Sequence, residues 1–244
     1  VRVNLHYLEN LLNDPEAGVL LPAAVIVEVV QGEGGVIPAD LDWLRGLRRI
    51  TAQAGVALIV DEIQSGFGRT GKMFAIENFN IVPDIMTVAK ALGNGTPISA
   101  FIATAQIADS YVKPGASTLG GNPVSSTAAL ATLDYIDSEN LISKATERGQ
   151  QLFNGLKTLQ DKHQIIGDIR GLGLMRGAEL IHADKTPASA ETDFILEEMK
   201  NLGFIIGKNG TERNVLAFQP PLIITEDNIN EMLNALDLVL GKIK

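Results

Sequence analysis

The sequence predicts an α/β protein in which a large domain with a mainly parallel sheet precedes a smaller α+β domain. Nearly continuous β-branched runs alternate with helical runs in the first half, as is typical of parallel strands with helices on both faces. Near residue 125 the pattern changes to short strands mixed with helices. The chain has 244 residues, of which 45% are hydrophobic, so a sizeable core can be buried.

Four strands and one connecting helix are predicted in the first half. Ala23–Val30 and Val56–Val60 are apolar runs, and Leu41–Ala54 between them has apolar residues at helical spacing, which makes a βαβ unit. Ile85–Ala89 is a third apolar run, and Ile98–Ala103 follows a turn signal rich in glycine and asparagine. We expect these strands to form one doubly wound sheet.

Residues 126–244 are predicted to form a linking helix and a small C-terminal domain, and residues 1–125 the C-terminal part of a larger one. The elements predicted in this second half are a helical region from Ser125 to Lys162 with a break near Ser138-Glu139-Asn140, two strands within Ile165–Leu180, a helix at Glu191–Leu202, strands at Phe204–Gly207 and Val215–Phe218, and a helix at Glu226–Leu240. The glycine-rich stretch Gly171–Gly177 faintly resembles a dinucleotide loop. A strand-like run follows it instead of a helix, so we interpret it as a hairpin turn.

Composition excludes several classes of function. The net charge is −9, which argues against nucleic acid as a partner, and the longest apolar stretch, Val19–Val30, is too short to span a bilayer. Without cysteine there are no disulfides or thiolate nucleophiles, and the three histidines lack metal-ligand spacing, so no metal site is expected. No signal-peptide pattern is present, so we expect a cytoplasmic protein. The chain opens at Val1 as if inside a domain, which leaves an upstream targeting segment open.

Polar residues follow or interrupt the predicted strands at places where a buried strand would not need them. Val56–Val60 is followed by Asp61, Ile85–Ala89 by Lys90, and the first strand contains Glu28. In parallel sheets, ligands bind beyond the carboxyl ends of the strands. An acid and a lysine at the ends of neighbouring strands therefore indicate a shared ligand site.

Pyridoxal 5′-phosphate (PLP) is a cofactor that needs both residue types. It forms a Schiff base with a lysine, and a carboxylate keeps its pyridinium nitrogen protonated because opposite charges favour the ionised form. Lys90 and Asp61 are the candidates for these two roles. From spacing alone, a role for Asp61 as a cap or loop residue that closes the strand and a solvated surface position for Lys90 remain alternatives.

Four stretches resemble, in order, the successive motifs of class III PLP-dependent aminotransferases, which include ω-amino acid, ornithine and 4-aminobutyrate transaminases. The stretches are EVVQGEGG (Glu28–Gly35), VDEIQSGFGRTGKMFA (Val60–Ala75), PDIMTVAKALGNGTP (Pro83–Pro97) and STLGGNP (Ser117–Pro123). The resemblance extends to FQPPLII (Phe218–Ile224). It implies that residues 1–125 belong to the large PLP-binding domain of the fold type I PLP transferases.

The resemblance also implies roles for individual residues. Lys90 is expected to carry the cofactor and to move the proton between the substrate and the cofactor, and Asp61 to pair with the pyridinium nitrogen. Ile63 is expected to cover one face of the ring and Gln64 to hydrogen-bond its phenolic oxygen. Thr118 is expected to reach the cofactor phosphate of the other subunit, which predicts a homodimer or a larger assembly with shared sites.

The substrate-binding residues are where the sequence departs from the family pattern. Glu33 matches the family's gate glutamate, which typically pairs with a substrate-binding arginine, and Glu28 matches a second acid near the site. Many members have that arginine in the motif Arg-Phe-x-Pro-Pro-Leu, but this chain has Ala217 there. Arg213 is a candidate replacement. The register of the strand would place it on the same side as residue 217, but further out along the strand. Recognition of glutamate and 2-oxoglutarate in the usual way is therefore in question.

The family's upstream phosphate-binding loop and its ring-stacking aromatic would both lie before Val1. We therefore expect residues 1–244 alone to bind PLP weakly. The predicted function is PLP-dependent transfer of an amino group from an amino acid or ω-amine donor to a 2-oxo acid. Two alternatives stay open, namely a racemase, epimerase or decarboxylating relative on the same fold, and a non-catalytic binding module.

Overall fold

A computed structural model describes residues 2–243 of the chain. The fold divides into two compact units, each discontinuous in sequence. Unit 1 comprises Val1–Val29, Ala39–Phe67 and Phe74–Ile136, and unit 2 comprises Val30–Pro38, Gly68–Met73 and Asp137–Lys244. The main division thus falls after Ile136, and two short segments of the first half belong to unit 2. The predicted domain boundary after residue 125 stays a prediction.

The described residues form ten strands, seven α-helices and two short 3-10 helices. The strands are β1 (Ala24–Glu28), β2 (Val30–Gln31), β3 (Ile37–Pro38), β4 (Ala57–Asp61), β5 (Ile85–Val88), β6 (Ala100–Ala103), β7 (Ile166–Leu172), β8 (Met175–Leu180), β9 (Gly207–Asn209) and β10 (Val215–Phe218). The α-helices are α1 (Arg2–Asn13), α2 (Leu41–Ala54), α3 (Ala105–Asp109), α4 (Pro123–Ser138), α5 (Leu141–Lys162), α6 (Ser189–Asn201) and α7 (Glu226–Leu240). The 3-10 helices lie at Ala75–Phe79 and Lys90–Leu92.

Unit 1 is built on a four-stranded sheet in the order β1-β4-β5-β6. The β1–β4 and β4–β5 pairs are parallel and the β5–β6 pair is antiparallel, so the predicted α/β class with a mainly parallel sheet is confirmed. Helix α2 has its predicted bounds. Its first turn is capped by Asp40, whose side chain accepts a hydrogen bond from the Trp43 amide, and it ends at Gly55 in the left-handed conformation.

Unit 2 contains a four-stranded antiparallel sheet in the order β7-β8-β10-β9 and the two-stranded ribbon β2–β3. Helices α5, α6 and α7 cover the sheet. Their apolar faces meet it in one core, whose largest fully buried side chains include Leu152, Leu156, Ile195, Met199 and Leu216.

Most predicted elements of the second half are confirmed. The break near residues 138–140 separates α4 from α5, the Gly-rich stretch forms the β7–β8 hairpin turn, and α7 has its predicted bounds. The predicted strand Phe204–Gly207 is wrong, because β9 begins only at Gly207. Phe204 instead donates its amide to the carbonyl of Met199 and closes the end of α6, so pairing with β10 starts three residues later.

The apolar run predicted as the strand Ala23–Val30 is split in the structure. Strand β1 ends at Glu28, and Val30 already pairs with Pro38 in the β2–β3 ribbon of unit 2. No helix in the described part of the chain is long and apolar enough to cross a membrane.

Candidate active site

The carboxyl ends of β1, β4 and β5 in unit 1 lie side by side. Glu28 is in register with Asp61, and Asp61 is in register with Thr87. Lys90 follows Thr87 by three residues. Because three residues span at most about 11 Å and strands lie about 5 Å apart, the Cα atoms of Asp61 and Lys90 lie within about 16 Å of each other. The parallel pairing therefore gathers the acid and the lysine at one sheet edge.

Asp61 has one engaged and one open carboxylate oxygen. The Ile63 amide donates a hydrogen bond of 2.9 Å to Asp61 Oδ1, which closes a tight turn directly after β4. No residue within 2–243 donates a hydrogen bond to Oδ2. The half-buried side chain thus has one oxygen fixed by the backbone and one that can accept a further donor.

Lys90 occupies an unusual backbone position. Its φ is 42°, in the left-handed region that residues other than glycine rarely adopt. The residue starts a 3-10 turn in which Gly93 donates its amide to the Lys90 carbonyl. In the described part of the chain, Lys90 Nζ makes no ion pair or hydrogen bond. Backbone strain of this kind is retained where the surrounding structure or the function requires it.

The turn after β4 carries the next two predicted residues. Ile63 and Gln64 are both half-buried, and the Gln64 amide makes no hydrogen bond to any of residues 2–243. The flanking residues, Glu62 and Ser65, are fully buried and hydrogen-bonded to each other. The turn is therefore anchored at both ends, and its central polar side chain remains available.

Two residues of this edge received no role from the sequence. Glu62 is a buried carboxylate, and Thr87 Oγ1 is a buried hydroxyl without a hydrogen-bond partner among the described residues. Burial raises the pKa of Glu62 above its ordinary value, and hydrogen bonds from Ser65, Ile76 and Ala75 oppose that rise. The available signals were an acid adjacent to Asp61 and a polar residue inside the apolar strand β5.

Thr118 lies in the exposed loop between α3 and α4 of unit 1. The neighbouring Ser117 hydroxyl accepts a hydrogen bond of 2.9 Å from the Gly120 amide, which shapes the loop. The Thr118 side chain is itself exposed and makes no hydrogen bond to residues 2–243. Its hydroxyl is therefore accessible to a group outside residues 2–243.

The predicted substrate residues Glu33 and Arg213 belong to unit 2. The Glu33 carbonyl accepts a hydrogen bond of 2.9 Å from the Gly210 amide, in the β9–β10 turn that also contains Arg213. Arg213 has a φ of 56° and lies outside β10, so the expectation that it continues the strand register is wrong. The chain reverses direction at this position, which places Arg213 in the turn that contacts the Glu33 backbone.

Comparison with known proteins decides the family. The family model described as aminotransferase class-III matches residues 5–240. The chain belongs to the class III aminotransferases. It is 43% identical over 223 residues to "Alanine--glyoxylate aminotransferase 2 homolog 2, mitochondrial" of Arabidopsis thaliana, which covers 90% of this chain and 47% of the relative. It is 40% identical over 225 residues to the leucine/methionine racemase of Thermococcus litoralis. That match covers 91% of this chain and 50% of the racemase.

Solved structures give the same family. The ornithine aminotransferase from Toxoplasma gondii, described with partial occupancy of PLP at its active site, matches with a TM-score of 0.85 and 32% identity. That match covers 97% of this chain and 54% of the neighbour. The chain therefore spans about half the length of the relatives it matches.

The residues at the sheet edge fit the cofactor of the class III aminotransferases, PLP. PLP presents a basic ring nitrogen, a phenolic oxygen and an aldehyde carbon. A carboxylate oxygen, an amide and a primary amine are the matching partners, and Asp61 Oδ2, the Gln64 side-chain amide and the Lys90 amine offer all three without competing bonds among residues 2–243. No group of three or more histidine, aspartate or glutamate side chains in the described chain is arranged to hold a metal ion.

One position of this class III aminotransferase differs from the pattern expected for substrate binding. Ala217, at the place of the family's arginine, is buried and in register with Gly177. Arg170 is in register with Gly177 on the other side, but it is ion-paired with Asp168 and Glu179. This row of the unit 2 sheet therefore contains an arginine whose charge is already neutralised.

Proposed function

We propose that the protein is a PLP-dependent aminotransferase that transfers an amino group from an amino acid or ω-amine donor to a 2-oxo acid. One observation supports this most strongly. In a chain of the class III aminotransferases, Asp61 with its open oxygen ends β4, and Lys90 with its unpaired amine follows β5, the adjacent parallel strand of unit 1. A carboxylate and a lysine so arranged serve PLP chemistry and have no ion pair of their own to make.

PLP, when bound, withdraws the electrons that remain when a bond to the substrate Cα breaks. Lys90 would hold the cofactor through its amine and afterwards accept and return the Cα proton. Asp61 Oδ2 would accept a hydrogen bond from the protonated ring nitrogen and keep it charged. The hydrogen bond from the Ile63 amide supports this role, because it holds Oδ1 and leaves Oδ2 free for the contact.

Three further residues would orient the cofactor. Ile63 would cover one face of the ring, and the Gln64 side-chain amide would donate a hydrogen bond to the phenolic oxygen. Thr118 would donate its hydroxyl to the cofactor phosphate in the partner subunit, which requires a homodimer or a larger assembly. Exposed apolar residues in the same loop as Thr118 support this assignment, since Leu119 is 76% and Val112 is 85% exposed.

Substrate selection is proposed to involve Glu28, Glu33 and Arg213. With Ala217 in place of the arginine, no bidentate fork at that position grips an α-carboxylate. We expect pyruvate or glyoxylate to serve as acceptor better than 2-oxoglutarate, because with this arginine missing an acceptor with one carboxylate needs a single remaining cation, whereas 2-oxoglutarate needs two. The cytoplasmic location expected from the sequence remains part of this proposal.

A racemase is the second candidate, favoured by the leucine/methionine racemase relative and by Ala217. Both reactions remove the same Cα proton. They differ in whether the proton returns to the opposite face or the amino group stays with the cofactor. For one amino acid, formation of a keto acid distinguishes transamination from loss of optical rotation without keto acid.

A panel of amino donors tests the proposed function directly. The full-length protein is loaded with PLP and incubated with each donor without acceptor, and conversion of the cofactor's visible band to the amine form is followed. We expect conversion with at least one amino acid or ω-amine, reversed by pyruvate or glyoxylate. Unchanged activity after Lys90→Ala would contradict the proposal and favour a module that only retains the fold.

A further inference from the structure

Glu62 is a carboxylate that lies inside unit 1 without a cation. It is 0% exposed, and no lysine, arginine or histidine among residues 2–243 forms an ion pair with it. An isolated buried charge is costly unless several donors satisfy its oxygens. The fold supplies these donors from two separate segments of the chain, so the donors show which segments the Glu62 side chain connects.

The donors to Glu62 lie on both sides of the segment Gly68–Met73, where the chain leaves unit 1 and then returns to it. The Ser65 hydroxyl donates to Oε2 at 2.6 Å on the outgoing side. The amides of Ala75 and Ile76 donate to Oε2 and Oε1 at 3.0 and 2.8 Å where the chain re-enters unit 1. One side chain therefore fastens two segments that are ten residues apart in sequence.

The backbone of Glu62 is fixed as well. Its amide donates to the Thr87 carbonyl at 2.9 Å, which extends the β4–β5 pairing by one step, and its carbonyl accepts from the Gly66 amide at 3.0 Å. Every polar group of the residue is thus engaged. Ile63 and Gln64 are the two residues enclosed between Glu62 and its partner Ser65, so their positions follow from these bonds.

We propose that Glu62 is a positioning residue that holds Ile63 and Gln64 against the cofactor. The inference rests on the proposed function, because it assigns these two side chains to the ring and the phenolic oxygen. Glu62 itself does not touch the cofactor in this proposal. It acts through the turn, whereas Asp61, one residue earlier, faces the ligand side of the sheet edge.

A purely structural role for Glu62 makes a different prediction from a positioning role. Loss of a structural carboxylate lowers stability but leaves the ionisation of a bound cofactor unchanged. Loss of a positioning residue weakens the Gln64 contact. Because a donated hydrogen bond favours the ionised phenolic oxygen, its loss moves the pH midpoint of the cofactor's visible band to higher pH.

The test measures that midpoint in the PLP-loaded full-length protein for Glu62→Gln, Gln64→Ala, the double variant and Ser65→Ala. We expect Glu62→Gln to shift the apparent acid dissociation constant about fivefold, the effect of one ordinary hydrogen bond. Gln64→Ala should shift it in the same direction, and the double variant no further than Gln64→Ala alone. Ser65→Ala removes one donor to Glu62 and should give a smaller shift in the same direction. This variant keeps the test possible if Glu62→Gln folds poorly.

Glu77→Gln is the matched control. Glu77 is the other acid whose charge acts on Glu62, it is exposed, and a glutamine oxygen can still accept from the Phe74 amide. We expect no shift in this variant. In the apoprotein, Glu62→Gln should also speed hydrogen exchange at the amides of Ala75 and Ile76.

The outcomes separate the inference from the proposed function. Midpoints equal to wild type in both Glu62→Gln and Ser65→Ala, with Gln64→Ala shifted, would overturn the positioning role alone. Additive shifts in the double variant would do the same, because they show that Glu62 acts independently of Gln64. A wild-type protein that shows no visible band with PLP would overturn both.

Discussion

Two adjacent acids at the end of β4 have opposite environments. The side chain of Asp61 is half-buried and keeps one oxygen open, whereas Glu62 is fully buried and has both oxygens occupied. Successive residues at a strand end point to opposite faces, so one acid is directed to the sheet edge and the other to the interior. The same residue chemistry therefore gives one carboxylate that is open to a ligand and one that is an internal anchor.

Replacement of Asp61 tests the ligand role. In Asp61→Ala the ring nitrogen loses its charge partner, so kcat should fall by about a hundredfold or more, as for removal of a preorganised electrostatic contact. PLP affinity should change by less than about tenfold, since one hydrogen bond is lost. Steady-state kinetics and PLP titration give the two values. Equal losses in both would argue against the role.

Replacement of Glu62 makes stability depend differently on pH. Burial raises the folded-state pKa of Glu62 above 4.5, so the folded protein binds this proton more tightly than the unfolded chain. The resulting stabilisation is complete below the unfolded pKa and is lost as pH rises through the raised value. Glu62→Gln cannot titrate. The free energy of unfolding of wild type relative to Glu62→Gln should therefore fall from pH 4.5 toward neutrality.

Urea unfolding of both proteins at a series of pH values measures this difference. Glu77→Gln serves as the control, because it removes an exposed acid that faces the same carboxylate. A difference that grows with pH, or does not change, would contradict the direction assigned to the pKa of Glu62.

At the level of single residues, the sequence allowed better predictions of side-chain chemistry than of side-chain burial. Lys90 and Asp61 could be proposed because each follows an apolar run, and the chain places them at the ends of paired strands as expected. The burial of Glu62 and of the Thr87 hydroxyl could not be predicted from the local pattern, which showed only an acid beside Asp61 and a polar residue inside β5. It depends on hydrogen bonds to Ala75 and Ile76, and on enclosure by neighbouring strands.

At the level of elements, helices were predicted most accurately. The bounds of α2 and α7 follow from apolar periodicity and from strong capping residues such as Asp40 and Thr225. Strand β9 was misplaced because its residues, Gly207–Asn209, are less apolar than Phe204–Ile206 before them. Antiparallel pairing with β10 across the short turn between the two strands selected the polar segment.

Helix α5 offers a matched pair of glycines for testing the packing of unit 2. A Cβ at Gly149 would collide with the backbone carbonyl of Gly173 in the β7–β8 turn, whereas one at Gly155 would meet only the end of the Leu233 side chain. Alanine gains about 1 kcal/mol of helix propensity at either position. Gly149→Ala should nevertheless lose roughly 1–3 kcal/mol, because backbone cannot move aside as a side chain can.

Gly155→Ala should be near neutral or slightly stabilising in the same urea titration, since Leu233 can change rotamer. Equal stabilities for the two variants would show that the hairpin turn does not pack on α5 as described.

At the level of the whole molecule, the central question is whether two subunits share a site. We propose that Lys90 and Thr118 of one site come from different subunits. Lys90→Ala and Thr118→Ala dimers are each deficient in every site. In a reassorted mixture, a dimer with one copy of each has one intact site, so about one quarter of all sites should recover.

Activity at limiting PLP, measured before and after reassortment, tests the shared site. Mass measurement of tagged subunits confirms that mixed dimers form. Mixed dimers without any recovered activity would place Thr118 in the same subunit as Lys90, or outside the site.

The proposed chemistry depends most on a covalent link between PLP and Lys90. Borohydride reduction of the PLP-loaded full-length protein fixes that link, and peptide mass mapping then locates the pyridoxyl group. We predict that the group is found on the peptide containing Lys90 and is absent after Lys90→Ala. A pyridoxyl group on another lysine, or equal labelling in the variant, would contradict the assignment of Lys90.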